Sequence, residues 1–244
     1  MSNVGAAPGT GRAIQILRGA QAGHGPEQFR QTGRMHEPIV LEGALVRLEP
    51  LGHEHVDDLL DAACADRTSF GYTWVPADRS AMTAYVATAL VHAERGDQFP
   101  FATRSLALDR VVGSTRFYEL ARWDWSTGEP GDVPSPHDGP FDRVSIGHTW
   151  LASTAQRSPV NTEAKLLMLD HAFNRWGVGA VRLQTDARNQ RSRAAIARIG
   201  CTLDGVLRSD RPAVDGTVRD SAIFSITADE WPVARLRLQE RLAR

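Results

Sequence analysis

The chain has 244 residues, of which 42% are hydrophobic and 23% are charged, and its formal net charge is −1. This composition is typical of a folded, soluble protein and excludes a disordered or fibrous one. Basic and acidic residues are nearly balanced, at 28 and 29. The balance disfavours a duplex nucleic-acid binder, because such proteins present a surface of one sign.

Several other classes are disfavoured by what the sequence lacks. No apolar run reaches the roughly 18 to 20 residues that span a bilayer, and the first thirty residues do not make a secretory signal, so we expect a cytoplasmic protein without a membrane partner. Cys64 and Cys201 are far apart and are expected to be buried, reduced thiols; no metal site is predicted. Lys165 is the only lysine and follows no glycine-rich loop, which excludes a Walker-type NTPase and disfavours Schiff-base chemistry.

The beginning of the chain differs from the rest. Residues 1–34 show no sustained periodicity and are predicted to be a flexible tail, so that a single domain is expected over residues 35–244. The tail is either a functional basic arm or an extension from an upstream start. The first half of the domain is predicted to hold a strand broken by a turn, two helices, a hairpin and a proline-bearing excursion, over residues 39–48, 54–65, 80–95, 99–120 and 122–142.

The second half alternates between strand and helix patterns. The predicted order is strand, helix, strand, helix, two strands and a final helix, over residues 144–151, 162–176, 180–185, 190–199, 201–207, 221–226 and beyond 230. A capping box over residues 227–230 begins the final helix. The loop between the first strand and helix of this half directs unpaired N–H groups at one point, which suits a phosphate or pyrophosphate, although most such loops bind nothing.

Four stretches of sequence carry a family resemblance. They are Leu41-Glu42-Gly43 with Val46-Arg47-Leu48-Glu49-Pro50-Leu51, Val112-Gly113-Ser114-Thr115-Arg116, Ile146-Gly147 through Glu163, and Asn189-Gln190-Arg191-Ser192 ahead of Ile199-Gly200. Together with the order of elements, they resemble the GCN5-related N-acetyltransferases, especially the RimJ/RimL-like branch. The resemblance implies an α+β fold: a strongly twisted, mostly antiparallel mixed sheet with a central splay after Leu151, flanked by helices.

The same resemblance implies an activity and a set of binding residues. It implies direct transfer of an acetyl or succinyl group from acyl-CoA to a primary amine, such as a protein amino terminus or a small molecule. It places the thioester at the backbone of Trp150 and Leu151, the pyrophosphate at Gln156–Thr162 and the pantetheine arm near Asn189. The candidate cofactor-binding residues are Trp150, Leu151, Gln156, Arg157, Ser158, Val160, Asn161, Thr162 and Asn189.

The predicted pyrophosphate loop departs from the family pattern. Pro159 and Asn161 replace its two glycines; Asn161 tolerates a left-handed backbone, but Pro159 has no N–H to donate. Two outcomes stay open. The loop binds pyrophosphate more weakly, or the charge of Arg157 compensates for the missing donor.

Candidate catalytic residues follow from the same resemblance. Ser192 matches the serine with which the RimL-like branch protonates the departing thiolate, although a serine there also caps helices. The general base is unassigned. His148 and Glu119 are candidates, and an α-amine with a pKa near 8 needs no dedicated base. Arg122 or Arg143 could meet the carboxylate of a succinyl group.

A second function class remains open. A catalytically inactive, CoA-sensing or protein-interaction module of the same fold is favoured by Pro159, by Ser145 where the family often has glutamate, and by Ile196 where it often has tyrosine. A nucleic-acid partner is expected only if the basic tail binds one. Leu236, Leu238 and Leu242 of the last helix pack either internally or in a homodimer.

Overall fold

The computed structural model describes residues 38–125 and 139–244, and the fold below is that of the unit His36–Arg244. The predicted tail over residues 1–34 and the centre of the predicted excursion lie outside the described residues. No helix in the described ranges is long and apolar enough to cross a membrane.

The order of elements follows the sequence pattern closely. Within the described residues, the strands are β1 (Leu41–Glu42), β2 (Val46–Pro50), β3 (Phe99–Ser105), β4 (Arg110–Ala121), β5 (Arg143–Leu151), β6 (Ala180–Asp186), β7 (Thr202–Pro212) and β8 (Val218–Thr227). The helices are α1 (Val56–Cys64), α2 (Arg79–Glu94), α3 (Val160–Asn174), α4 (Gln190–Ile199) and α5 (Trp231–Leu242). The predicted α+β class is confirmed.

One sheet joins all eight strands and parts in its middle. The strand order is β1-β2-β3-β4-β5-β6-β8-β7, and only the pair β5–β6 is parallel. These two strands pair from Arg143 opposite Ala180 to Ser145 opposite Arg182 and no further. The central splay is therefore present, but it opens at Ile146, inside β5, and not after Leu151 as expected.

An irregularity in β5 accounts for the early opening. His148 has a φ of 49°, and the register of β5 on β4 shifts opposite the Ser114–Arg116 segment. A bulge of this kind bends its strand and increases the local twist, which turns the end of β5 away from β6. Gly147 is required beside the bulge, because a Cβ there would lie 2.6 Å from the Tyr118 ring.

The helices cover both faces of the sheet. Ala102 of β3 packs in a core cluster with residues of α1 and α2, whereas its neighbour Phe101 contacts Phe117, whose ring lies against His171 of α3. Because successive residues of a strand point to opposite faces, α1 and α2 cover one face and α3 covers the other. Trp150 belongs to the α1/α2 cluster.

The structure corrects one expectation about side chains and bears on another. Cys201 is buried, as predicted, but Cys64 is exposed, because it follows Ala63 on α1 and lies off the face that enters the core. On α5, Leu238 is buried at 1% exposure, while Leu236 is 62% exposed. Leu238 therefore packs internally, and a homodimer through this helix stays a prediction.

A carboxylate fixes the start of α3 against the first strands. Glu163 is buried, and its two oxygens accept hydrogen bonds from the backbone N–H groups of Ala44, Leu45 and Val46 at 3.0, 2.7 and 2.7 Å. Gly43 permits this approach, because a Cβ at that position would lie 2.5 Å from the carboxylate carbon. The β1–β2 turn and the N-terminal end of α3 are thus held as one unit.

Glu163→Ala is expected to lower the free energy of unfolding by about 3 kcal/mol or more, since it leaves backbone donors without acceptors beneath α3. Chemical denaturation measures the loss. Glu240→Ala, at an exposed position of α5, is the matched control and is expected to change it by less than about 0.5 kcal/mol. Equal effects of the two variants would contradict the role of the Glu163 carboxylate.

Candidate active site

The splay opens into a cavity with a volume of about 870 Å³. Its walls are the free end of β5, the end of β6, the loop before α3, the start of α4, the segment before α2 and the β7–β8 hairpin. Strand backbone that no neighbour pairs is thereby exposed beside a helix start. This arrangement can accept an extended ligand that makes strand-like hydrogen bonds and ends in an anion.

The loop before α3 differs from the sequence expectation in one backbone position. Arg157 adopts the left-handed conformation, with φ of 59°, whereas Asn161 already lies within α3. Pro159 is the N-cap residue at φ −65°, a value that its ring favours, and its carbonyl accepts the N–H of Glu163 at 2.9 Å. The proline therefore suits the first turn and costs the loop only one donor.

Most side chains of this loop line the cavity, and one packs in the interior. Arg157, Ser158, Asn161 and Thr162 line the cavity, and the N–H groups of Asn161 and Thr162 lie in the first turn of α3, where no helical partner precedes them. Val160 is instead buried at 7% exposure, and its N–H donates to Ser158 Oγ at 3.3 Å. Of the nine predicted cofactor-binding residues, Val160 is the one that does not line the cavity.

Gln156 connects three parts of the cavity wall. Its Nε2 donates to Leu151 O at 2.8 Å and to Ser69 Oγ at 3.0 Å. Its Oε1 accepts from Arg191 Nη1 at 3.2 Å, and Arg191 Nη2 donates to Ser69 O at 2.5 Å. We name Gln156, Arg191 and Ser69 the tether, since they join the end of β5, the start of α4 and the segment before α2.

Asn189 is fixed by the helix that it begins. Its Oδ1 accepts the N–H of Ser192 at 3.0 Å, and its own N–H donates to Asp186 O at 2.9 Å. Arg188 donates to the Asp186 carboxylate and thereby holds the pKa of Asp186 below its usual range. Since the oxygen caps α4, Asn189 offers its amide N–H groups to the cavity.

Two hydroxyl groups in the cavity can donate a proton. Ser192 Oγ, which lines the cavity, makes no hydrogen bond to any described residue. The Tyr118 hydroxyl accepts from Gln184 Nε2 at 2.8 Å, which leaves its own proton free to be donated. Burial raises the pKa of Tyr118, so the phenol stays protonated at neutral pH.

The two predicted base candidates lie in different environments. His148 lines the cavity, and loss of water together with the charges of Arg116 and Arg211 lowers its pKa to about 4. Its imidazole is therefore neutral at pH 7 and weakly basic. Glu119 lies outside the cavity lining and accepts a hydrogen bond from Ser145 Oγ at 2.8 Å.

Lys165 enters the cavity wall from α3. It is 3% exposed, and its Nζ donates to Thr149 Oγ1 at 2.8 Å and to Thr115 Oγ1 at 3.1 Å. No described carboxylate forms an ion pair with it, and burial lowers its pKa to about 7. Burial also raises the pKa of nearby Cys201 to about 12, so that thiol supplies no counter-charge.

The β7–β8 hairpin brings two arginines to the cavity wall. Arg211 and Arg219 line it from the β7–β8 hairpin; Arg211 pairs with Asp210 at 2.7 Å, whereas Arg219 Nε donates to Ser221 Oγ at 2.8 Å and pairs with no described carboxylate. Arg122 and Arg143, the predicted contacts of a succinyl carboxylate, do not line the cavity.

Comparison with known proteins places this site in a family. The model of the acetyltransferase (GNAT) domain matches residues 46–202, which is more than half of the chain and includes β5, the loop, α3 and α4. The chain belongs to the GNAT acetyltransferase family. GNAT domains transfer acyl groups from CoA, and the open sheet described above is consistent with that fold.

Solved structures agree with the family assignment. A GCN5-related N-acetyltransferase from Brucella melitensis is 26% identical, with a TM-score of 0.68 over 84% of this chain and 85% of that one. The fold is shared with RimJ of Mycobacterium smegmatis in complex with CoA-disulfide, at 20% identity and a TM-score of 0.65 over 84% and 93% of the two chains. It is also shared with RimL, the ribosomal L7/L12 α-N-protein acetyltransferase, at 15% identity and 0.61 over 79% and 96%. No curated protein matches the chain significantly.

Most of the site residues predicted from the sequence line one cavity, but sequence reasoning missed other parts of its wall. The structure brings Ser192, His148, Asn189, Trp150, Leu151 and the loop residues other than Val160 to one cavity. It adds Tyr118, Lys165, Arg211 and Arg219, none of which was a candidate. Only Lys165 gave a signal in the sequence, as the single lysine of a helix predicted to pack on the sheet. In the described residues no cluster of metal-ligating side chains exists.

Lys165→Met is expected to stabilise the GNAT domain at neutral pH. Unfolded lysine keeps its proton to about pH 10.5 and the folded one to about pH 7, so the stability of the original chain rises with pH across that window. The variant should be more stable by on the order of 4 kcal/mol at pH 7, and its advantage should shrink toward pH 10.5. Denaturation at several pH values measures this. The control Arg208→Met, at an exposed position, should show no pH-dependent gain in stability. If Lys165→Met were more stable by the same amount at every pH, the lowered pKa of Lys165 would be contradicted.

Proposed function

We propose that this GNAT domain transfers an acetyl group from acetyl-CoA directly to a primary amine, such as a protein amino terminus or a small-molecule amine. The observation that carries the proposal is the splay: unpaired backbone of β5 from Ile146 onward lies in one cavity with the start of α3. The backbone of Trp150 and Leu151 would hold the thioester carbonyl and stabilise the negative charge that develops on its oxygen. Acetyl-CoA supplies the activated acyl group.

The donor site has the chemistry that a pyrophosphate requires. The first-turn N–H groups of α3, the Ser158 hydroxyl and the Arg157 guanidinium would bind it. The amide of Asn189 would donate to the pantetheine arm. Pro159 at its favoured φ supports binding despite the missing glycines, and this weakens the case for an inactive CoA-sensing module.

The residues around the reacting atoms suit acyl transfer to an amine. Ser192 Oγ or the Tyr118 hydroxyl would protonate the departing thiolate, since both carry an uncommitted proton in the cavity. His148 is a weak base, so an acceptor amine would enter largely neutral or pass its proton to water. This requirement favours α-amino groups, whose pKa lies near 8, over lysine side chains.

A thermal unfolding scan with acetyl-CoA, succinyl-CoA and free CoA tests the donor site. Saturation at about a hundred times the dissociation constant adds roughly 2.7 kcal/mol of stability, which a rise in the unfolding temperature reports. Asn189→Ser keeps the cap of α4, whereas Asn189→Ala costs about 1 kcal/mol without ligand. Both should weaken acetyl-CoA binding by up to about tenfold. The absence of a shift with all three ligands would refute the proposal, and Ser192→Ala should keep the shift while slowing thiol release.

The two arginines that the β7–β8 hairpin brings to the cavity predict the preferred acceptors. Arg211 and Arg219 should attract an amine that carries an anionic group and repel polycations such as spermidine. Two amidated peptides, Ser-Glu-Ala and Ser-Gln-Ala, share one amino terminus and differ in charge. The acidic peptide should give about tenfold higher kcat/KM in a thiol-release assay, and Arg219→Gln should narrow that difference. A preference for spermidine or for the neutral peptide would contradict this assignment.

A further inference from the structure

Lys165 is a buried titratable side chain of the cavity wall to which the proposed reaction gives no role. It is also the single lysine of the chain. Burial of a lysine without a carboxylate partner costs stability, so its position calls for a chemical explanation. Its placement beside the predicted thioester site suggests one.

The hydrogen bonds of Lys165 define what its nitrogen can do. A neutral amine has two N–H donors and one lone pair. Thr149 Oγ1 and Thr115 Oγ1 lie at 2.8 and 3.1 Å from Nζ and accept the two N–H groups. The threonines also hydrogen-bond to each other at 2.8 Å, which fixes the pair. The lone pair is left without a partner among the described residues, and the side chain lines the cavity.

The splay brings this nitrogen close to the donor site. Thr149 directly precedes Trp150, whose backbone would hold the thioester carbonyl. Thr149 and Trp150 point to opposite faces of β5, so Lys165 approaches from the α3 face while Trp150 packs on the α1/α2 side. Beyond Ser145, β6 no longer pairs with β5, and Lys165 is among the residues that line the cavity opened there.

We propose that Lys165 is an acylation site, at which Nζ takes the acyl group of bound acyl-CoA when no acceptor amine is present. The lone pair of Nζ attacks the thioester carbonyl carbon, an amide bond forms and the C–S bond breaks. The proton that nitrogen loses goes to the thiolate, so that free CoA and Nε-acyl-lysine are the products. The proposal rests on the proposed function, because the donor is the same bound acyl-CoA.

The experiment incubates the full chain with acetyl-CoA in the absence of any acceptor amine. Intact mass and peptide mapping then report acetylation, and Lys165 is the single lysine that the map contains. We expect one acetyl group on Lys165, with a rate that rises through about pH 7 as the amine loses its proton. An excess of free CoA, which competes for the cavity, should suppress the modification.

A double variant supplies the matched control. Lys165→Met with Arg208→Lys keeps one lysine but moves it to an exposed position outside the cavity lining. At pH 7 an ordinary lysine is almost fully protonated, so the lysine placed at position 208 should react at least about tenfold more slowly. Equal acetylation rates at the two positions would mean that acetyl-CoA reacts with lysine directly from solution, without binding in the cavity. That result would overturn the proposal.

The same samples separate this proposal from the proposed function. If acetyl-CoA raises the unfolding temperature and Lys165 stays unmodified at every pH between about 6 and 9, the acylation site is refuted and the donor site stands. If acetyl-CoA neither shifts the unfolding temperature nor modifies the chain, both are refuted. Acetylation of Lys165 that free CoA suppresses supports both.

Discussion

The parting of β5 from β6 is the constraint on which the rest of the site depends. Three residue pairs join the two strands, and the bulge at His148 then turns β5 away. A sheet cannot leave strand backbone unpaired in its interior unless something else hydrogen-bonds to it, because buried N–H and C=O groups without partners are costly. The fold thus contains a gap that a strand-like ligand can complete, and the binding residues lie along its edges.

Helix α3 relates this gap to the remainder of the domain. Its first turn faces the cavity, and Glu163, one residue beyond, anchors the helix to the β1–β2 turn. Lys165, two residues further on, turns toward β4 and β5. Neighbouring helix positions differ by about 100° in direction. The first turn, Glu163 and Lys165 can therefore contact the cavity, the β1–β2 turn and the β4–β5 pair from different faces of one helix. The helix thus connects the first strands to the cavity.

The sequence predicts the fold well where the pattern is periodic and poorly where geometry depends on neighbours. Alternation and capping signals placed most strands and helices to within a few residues, although β7 continues to Pro212 and not to Leu207. The motif resemblance identified Asn189 and Ser192, which line the cavity. The positive φ of the bulge falls on His148 and not on the neighbouring Gly147, so the sequence pattern did not reveal where the splay begins. Tyr118 and Arg219 reach the cavity only through the pairing of β4, β6 and β8, which no local pattern contains. Cys64 was expected to be buried but is exposed, because the face of α1 that enters the core does not include it.

The tether of Gln156, Arg191 and Ser69 has a consequence for how such enzymes diversify. It fastens the segment before α2, whose Tyr72, Thr73 and Trp74 line the cavity, to the loop before α3 and to the start of α4. The spacing between these walls of the cavity therefore depends on the side chains of Gln156 and Arg191. Exchange of either side chain would change that spacing without altering the strands that form the sheet. The width of a binding cavity in this fold is thus open to change by single substitutions in the tether.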